Sequence, residues 1–281
     1  MAAETCENCG DAARFAPLFS PERATWRCER CGGWSFRGSI EQTPEAMYDA
    51  SYFFGGEYLD YDVSARAQRR NFERKLALLA EAGCAIGPGA RVLEVGCATG
   101  EFLAVLAGIP GVRSLGIEVS AFGRERAHAR GLAAYAPDDP GLAAELLALR
   151  PDFIVGWDVW EHLPSPASIF GAHLQIASER AVLALTTVDA SSAVARWRGE
   201  RWRQFHPPTH LCYPTRESLR RFCAARSLEV VQQRAFGYHR PLLEYAQAAG
   251  VTLPRSPASL RAWPLYLNLW DTQLVIARRA A

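Results

Sequence analysis

From Gly89 onward, short apolar runs bounded by Gly, Pro or polar residues alternate with longer stretches whose apolar positions recur every three or four residues. The first kind reads as buried strand, the second as helix packed along one face. Arg91-Val-Leu-Glu-Val-Gly96, entered from Gly87-Pro-Gly89, predicts a strand, and Glu101–Ala107 the helix after it. Ser114–Val119 predicts a second strand, with Ser120 placed to cap a helix running to Arg130. The series continues with a weak strand at Leu132–Tyr135, an Ala/Leu-rich helix ending near Arg150 and a strand at Phe153–Val159. Pro164 and Pro166 open a helix to about Ala177, and Ala181–Thr187 is another buried strand. An irregular stretch then leads to a helix over Thr215–Ala225 and strands at Leu228–Ala235 and Thr272–Arg278. Such a βα series predicts a doubly wound, mostly parallel α/β sheet.

Residues 41–88 differ in kind. They are aromatic-rich, then helical over Asn71–Ala82, and predict a cap over the functional edge of the sheet. Residues 1–40 are different again. Cys6-Glu-Asn-Cys9-Gly10 and Cys28-Glu-Arg-Cys31-Gly32 are two Cys-x-x-Cys-Gly knuckles, eighteen residues apart. Each knuckle points two thiolates at one ion, and the glycine after it permits the left-handed turn. Two knuckles complete a closed tetrahedral Zn²⁺ site of structural kind, with Cys6, Cys9, Cys28 and Cys31 as ligands. Two disulfides or a redox dithiol are the competing readings, and doubled knuckles are unusual for a redox site. The acidic, polar start shows no export signal, so a cytoplasmic protein is expected, where disulfides are disfavoured. Cys84, Cys97, Cys212 and Cys223 have no pair spacing and read as small buried hydrophobes. The expected organisation is a zinc ribbon over 1–40, a cap and linker over 41–88, and the sheet domain over 89–281.

Composition narrows the function. Hydrophobic residues make up 49% of the 281 and charged residues 22%, the balance of a globular protein. The formal charge is +1, so no global field draws nucleic acid or an anionic membrane. No apolar run is long enough to span a bilayer. Lys75 is the single lysine of the chain.

The first strand–loop–helix carries the strongest chemistry. Glu94-Val-Gly96-Cys-Ala-Thr-Gly100 lies where a strand stops and a helix starts, the place where open sheets bind ligands. It lacks the Gly-Lys-Ser/Thr ending of a phosphate loop and the G-x-G-x-x-G dinucleotide spacing. Glu94 puts a carboxylate where an amino group can be held. Glu118 ends the next strand, where a carboxylate can accept both hydroxyls of a ribose. Together they suit a nucleoside with a positively charged amino-acid tail.

Val92-Leu-Glu-Val-Gly-Cys-Ala-Thr-Gly100, Gly116-Ile-Glu118 and Trp157-Asp-Val-Trp-Glu-His162-Leu-Pro together resemble the class I S-adenosylmethionine (SAM)-dependent methyltransferases. More narrowly, the chain is similar to the bacterial branch with a zinc-ribbon N-terminus that includes sugar and natural-product methyltransferases. In that branch a Tyr-rich segment precedes the core, as at Tyr48–Tyr61. A Trp and a Pro-x-x-His-Leu motif follow the fifth strand, as at Trp202 and Pro207-Pro-Thr-His210-Leu211. The resemblance implies a Rossmann-like seven-stranded sheet and SAM as methyl donor. It places Glu94, Gly96, Cys97 and Gly100 at the methionine end, Glu118 on the ribose and Asp158 near the cofactor. The family loop usually carries Gly where Ala98 stands, so either the loop is remodelled or the position tolerates an α conformation.

Methyl transfer to a hydroxyl needs a base, and a neutral imidazole suits the task. His162, His210 and, more weakly, His206 are the candidates; His128 and His173 lie on helices facing away from the ligand edge. Asp158, Glu161 and His162 also resemble, by spacing, the acidic-His cluster of quinone-biosynthesis O-methyltransferases. That resemblance implies a second divalent metal at Asp158/Glu161/His162. Tyr48, Tyr52, Phe53, Phe54, Tyr58, Tyr61, Trp197 and Trp202 are candidates for a wall that stacks on the acceptor. Arg196, Arg198, Arg201 and Arg203 form a basic loop that can grip an acidic group on it. The expected partner is a small-molecule acceptor: a sugar, nucleotide-sugar or natural product, free or carrier-bound. An RNA base methyltransferase using its ribbon on RNA is the competing enzyme, argued against by the near-zero charge and the ribbon's lack of a basic stripe. A non-catalytic SAM-binding scaffold is the third reading.

Overall fold

The structure, a computed structural model, describes residues 3–52, 61–248 and 262–280. The N-terminal strands are β1 (Glu4–Thr5), β2 (Ala12–Ala13), β3 (Phe15–Pro17), β4 (Thr25–Cys28) and β5 (Trp34–Phe36). Helices α1 (Pro44–Met47) and α2 (Tyr61–Glu81) follow. The alternating part consists of β6 (Arg91–Val95), α3 (Glu101–Ala107), β7 (Arg113–Ile117), α4 (Ala121–Ala129), β8 (Ala134–Tyr135), α5 (Leu142–Leu149), β9 (Phe153–Trp157), α6 (Pro166–Ile176) and β10 (Val182–Val188). Then come α7 (Ala193–Arg198), β11 (Cys212–Tyr213), α8 (Arg216–Ala224), β12 (Leu228–Ala235), β13 (Tyr238–Pro241), α9 (Leu242–Ala248), β14 (Pro264–Leu267) and β15 (Thr272–Arg279).

Seven strands form the main sheet in the order β12-β15-β10-β9-β6-β7-β8. β15 is antiparallel to both its neighbours, and the pairings from β10 to β8 are all parallel. The sheet is the Rossmann-like, doubly wound α/β arrangement that the pattern predicts. Residue parity along its strands splits two cores. Leu93, Val95, Ile154, Leu183 and Leu185 pack on one face with α5, α6 and α8. Val92, Phe153, Val155, Trp157, Val182 and Ala184 pack on the other with α2 and α3. Strands buried on both faces read as continuous apolar runs, which is why β9 and β10 were legible. The chain leaves β6 for β7 and β8, then returns to β9 on the other side of β6. That reversal opens a crevice beyond the C-terminal ends of β6 and β9.

Ser120 caps α4 by accepting from the Gly123 amide, and Thr215 with Ser218 forms a reciprocal capping box on α8. Helix α2 begins ten residues before the predicted Asn71, because Ser64, Ala67 and Asn71 bury a face that an Arg-rich sequence hides. The short strands β11, β13 and β14 have no pattern of their own. β11 joins the ribbon: its Tyr213 pairs with Trp34 of β5 and its Cys212 with Ser35. Among the described residues, no helix is long and apolar enough to cross a membrane.

Candidate functional site

The four knuckle cysteines converge. Their sulfurs lie within 4.8 Å of one another, and Cys6 Sγ is 3.8 Å from Cys31 Sγ. A tetrahedral ion with Zn–S bonds of about 2.3 Å sets its sulfurs about 3.8 Å apart, so the donor set fits. Gly10 and Gly32 take φ of +79° and +72°, the turn that the knuckles need, and their amides donate to the Cys6 and Cys28 carbonyls. Cys84, Cys212 and Cys223 sit in the apolar cores, as small hydrophobes do.

The glycine loop caps the C-terminal end of β6. Gly96 has φ +74°, and a Cβ there would overlap Val159. Gly100, at φ +81°, starts α3 against Leu132 and Ala127. Ala98 also adopts the left-handed region, at φ +49°, so the loop keeps its glycine-type conformation. What holds it there is Glu118. One oxygen of this carboxylate accepts from the Ala98 amide and the other from the Ser120 amide, each at 2.8 Å. Burial pushes the Glu118 carboxyl up, and these amides pull it part of the way back. Glu94 is 3% exposed, and its Oε2 has no hydrogen-bond partner. Burial drives its pKa well above the usual range, against the pull of the nearby Lys75 charge.

One cavity is lined by Glu94, Gly96, Cys97, Asp158, His162 and His210, and also by Lys75, Tyr52, Glu161 and Tyr238. Of the predicted positions, Gly100, Glu118 and His206 lie outside its lining, with Glu118 acting on it through the loop. Lys75 and Tyr238 were missed, and both converge on Asp158. Lys75 Nζ is 3.5 Å from Asp158 Oδ2 and sits 4.7 Å from the Trp157 ring centre, while the Tyr238 hydroxyl donates to Asp158 Oδ1. Asp158 itself has φ +57°, a left-handed conformation rare for a residue with a side chain. Burial lowers the Lys75 pKa, opposed by the Asp158 charge. Its being the chain's single lysine was the one signal available.

The candidate bases form a cluster, with the His162 ring edge to face on His210. The His162 and His210 ring centres are 4.6 Å apart, and those of His206 and His210 3.8 Å. Nδ1 of His162 is 3.0 Å from the Thr209 carbonyl and 3.0 Å from the Tyr48 hydroxyl. A carbonyl only accepts, so Nδ1 carries the proton and the lone pair of the neutral ring is on Nε2. His210 is fixed in the same tautomer by donating from Nδ1 to the Gln204 carbonyl at 2.8 Å. Burial lowers the pKa of His162 to about 4 and that of His210 well below its usual value. Burial and the Asp158 charge push Glu161 up to about 8, while Thr187 donates to its Oε2 at 2.7 Å. Asp158 does not join the Glu161–His162 pair as the sequence spacing suggested. Among the described residues the second group with metal-ligand geometry is Glu161, His162 and His210.

The aromatic and basic predictions divide. Tyr48 and Tyr52 pack edge to face; Tyr48 lies against His162, and Tyr52 lines the cavity. Trp202 is not a pocket wall: it is 1% exposed, packs with Trp34 and Tyr213, and donates to Asp271. Trp197 is 81% exposed and off the cavity. Arg203 is committed to the buried Asp271 carboxylate, at 2.8 Å. Arg196, Arg198 and Arg201 are exposed and outside the cavity lining. Phe53, Phe54 and Tyr58 lie outside the described residues, as does the side chain of Tyr61.

A family model described as a methyltransferase domain matches residues 64–233. No curated protein matches the chain. The structure is similar to that of a SAM-dependent methyltransferase from Thermotoga maritima, at 16% identity over 82% of this chain and 98% of that one, with a TM-score of 0.50. It is also similar to the YcgJ protein of Bacillus subtilis, at 12% identity over 74% and 99% of the two chains, with a TM-score of 0.51. At these identities the likeness is one of fold. The family match, however, spans well over half of the sequence and includes both the glycine loop and the acidic strand ends. The chain therefore belongs to the methyltransferase-domain family and is a SAM-dependent methyltransferase.

Proposed function

We propose that this enzyme methylates a hydroxyl of a small-molecule acceptor, a sugar or natural product, with His162 or His210 taking the acceptor's proton. The observation that carries the reading is one cavity lined both by the glycine loop and by two neutral imidazoles whose free lone pairs are on Nε2. SAM supplies a methyl group already activated on a sulfonium. The protein has then to hold donor and acceptor in line and remove one proton. Glu94, buried with an unpartnered oxygen, is placed to take an ammonium group. Glu118 keeps lone pairs for ribose hydroxyls while its bonds to two amides shape the loop. As the acceptor oxygen takes the methyl group, its proton passes to an imidazole Nε2. Tyr48 and Tyr52 offer ring surface beside that point.

We also propose that Zn²⁺ holds the knuckles. Cys6, Cys9, Cys28 and Cys31 fill all four positions, so the ion's role is structural.

The test is a screen of hydroxyl acceptors with SAM labelled in its methyl group. With an acceptor in hand, His162→Asn and His210→Asn are assayed separately. Loss of a positioned base lowers turnover by about 10²–10⁴-fold. Full rate in both variants rejects the imidazole assignment.

A further inference from the structure

We infer that Glu161, His162 and His210 form a second metal site, for a divalent transition ion of the zinc class, distinct from the four-cysteine site. The ligand atoms that these three residues offer lie within 4.8 Å of one another. Two segments distant in sequence bring them there, the turn at Trp160–His162 and the loop before β11. Two bonds join those segments: the Leu211 amide donates to the Glu161 carbonyl at 2.7 Å, and His162 Nδ1 to the Thr209 carbonyl at 3.0 Å. The ligand set differs from the one that sequence spacing suggested. Asp158 is drawn off by Lys75 and Tyr238, and His210 takes its place.

Three further features suit an ion. Both imidazoles donate from Nδ1 to a backbone carbonyl, which turns the Nε2 lone pair outward and is the usual outer support of a metal-bound histidine. Thr187 holds the Glu161 carboxylate in the same way. All three residues also line the cavity, so coordination positions remain open on that side. Three protein ligands with an open position is the catalytic rather than the structural pattern. Two imidazoles and one carboxylate select zinc, cobalt, iron or manganese over magnesium and calcium, which prefer oxygen throughout. Bonds of about 2.0–2.1 Å require the three donors to close to roughly 3.4 Å, a movement within reach of side-chain rotation. A bound ion of this class supplies Lewis acidity and lowers the pKa of a hydroxyl on it. The inference rests on the proposed transfer reaction only for that use. With the ion in place, the Nε2 lone pairs are ligands and the imidazoles no longer the base.

Metal binding is read without any acceptor. The full chain, with its cysteine site loaded, is equilibrated with Zn²⁺ or Co²⁺ at micromolar free metal and analysed for metal per chain. Two equivalents are expected in the wild type. The second Co²⁺ should show d–d bands without the thiolate charge-transfer absorption of the first. Glu161→Gln and His210→Asn should each weaken the second equivalent at least tenfold and keep the first, which reports that the variant has folded. One equivalent in the wild type overturns the inference, as does a second equivalent indifferent to both substitutions. The first of those outcomes leaves the imidazole-base reading standing, and the turnover of His162→Asn and His210→Asn then decides it.

Discussion

Lys75 Nζ lies 3.5 Å from Asp158 Oδ2, and the two are unequally buried: the lysine side chain is 2% exposed and the aspartate 37%. Removing one member of such a pair strands the other, and the cost follows how deeply the stranded charge lies. Asp158→Asn leaves an ammonium among aromatic rings and is expected to cost about 2–3 kcal/mol. Lys75→Met leaves a carboxylate that water and Tyr238 still reach, and should cost under about 1 kcal/mol. Urea denaturation of the two variants checks the order; the reverse order contradicts this account of the pair.

Ala98 is held at φ +49° by its bond to Glu118. Ala98→Gly relieves a conformation that costs a Cβ-bearing residue roughly 1 kcal/mol, so the variant should be more stable by up to that amount. Thermal unfolding is the measurement. A clearly destabilised variant would mean that alanine fits this loop without strain.

The ribbon is tied into the catalytic part of the chain. β5 pairs with β11, the Thr215 hydroxyl donates to the Cys31 carbonyl at 2.7 Å, and Trp160 donates to Asn8 between two knuckle cysteines. Stripping the proposed zinc, or Cys28→Ser, should therefore lower the main unfolding transition, by about 10 °C or more for a loss of several kcal/mol. An unchanged main transition would show that the ribbon folds apart from the sheet.

Much of this design was legible, for physical reasons that differ by element. The strands of the main sheet announce themselves because both faces are buried, and the cap of α4 because Ser120 must satisfy free amides. The convergence of the four knuckle sulfurs follows from the doubled Cys-x-x-Cys-Gly spacing. Long-range convergence carries no such pattern: the bonds from Lys75 and Tyr238 to Asp158 span 83 and 80 residues. Trp202 shows the opposite failure. Its indole satisfies its donor on Asp271 inside a core, and composition alone cannot tell that from a pocket wall.

At the N-terminal ends of β6 and β9, the Arg91 guanidinium binds Asp152 at 2.9 Å and lowers the aspartate's pKa. A depressed carboxylate pKa adds stability above the unfolded-state value near 4, and that stability disappears as pH falls through the folded value. Asp152→Asn should cost about 1 kcal/mol at pH 7 and progressively less below pH 4. Denaturation midpoints across that range check it, and a pH-independent difference contradicts it.

The cavity beside Glu94 and the Glu118-built loop is expected to receive SAM. Isothermal titration of the metal-loaded protein with SAM, and with its demethylated product, tests it most directly. One site per chain is predicted, with binding by Glu118→Gln weakened at least tenfold, about 1.4 kcal/mol. No heat with either compound, or a Glu118→Gln variant that binds like the wild type, would contradict it.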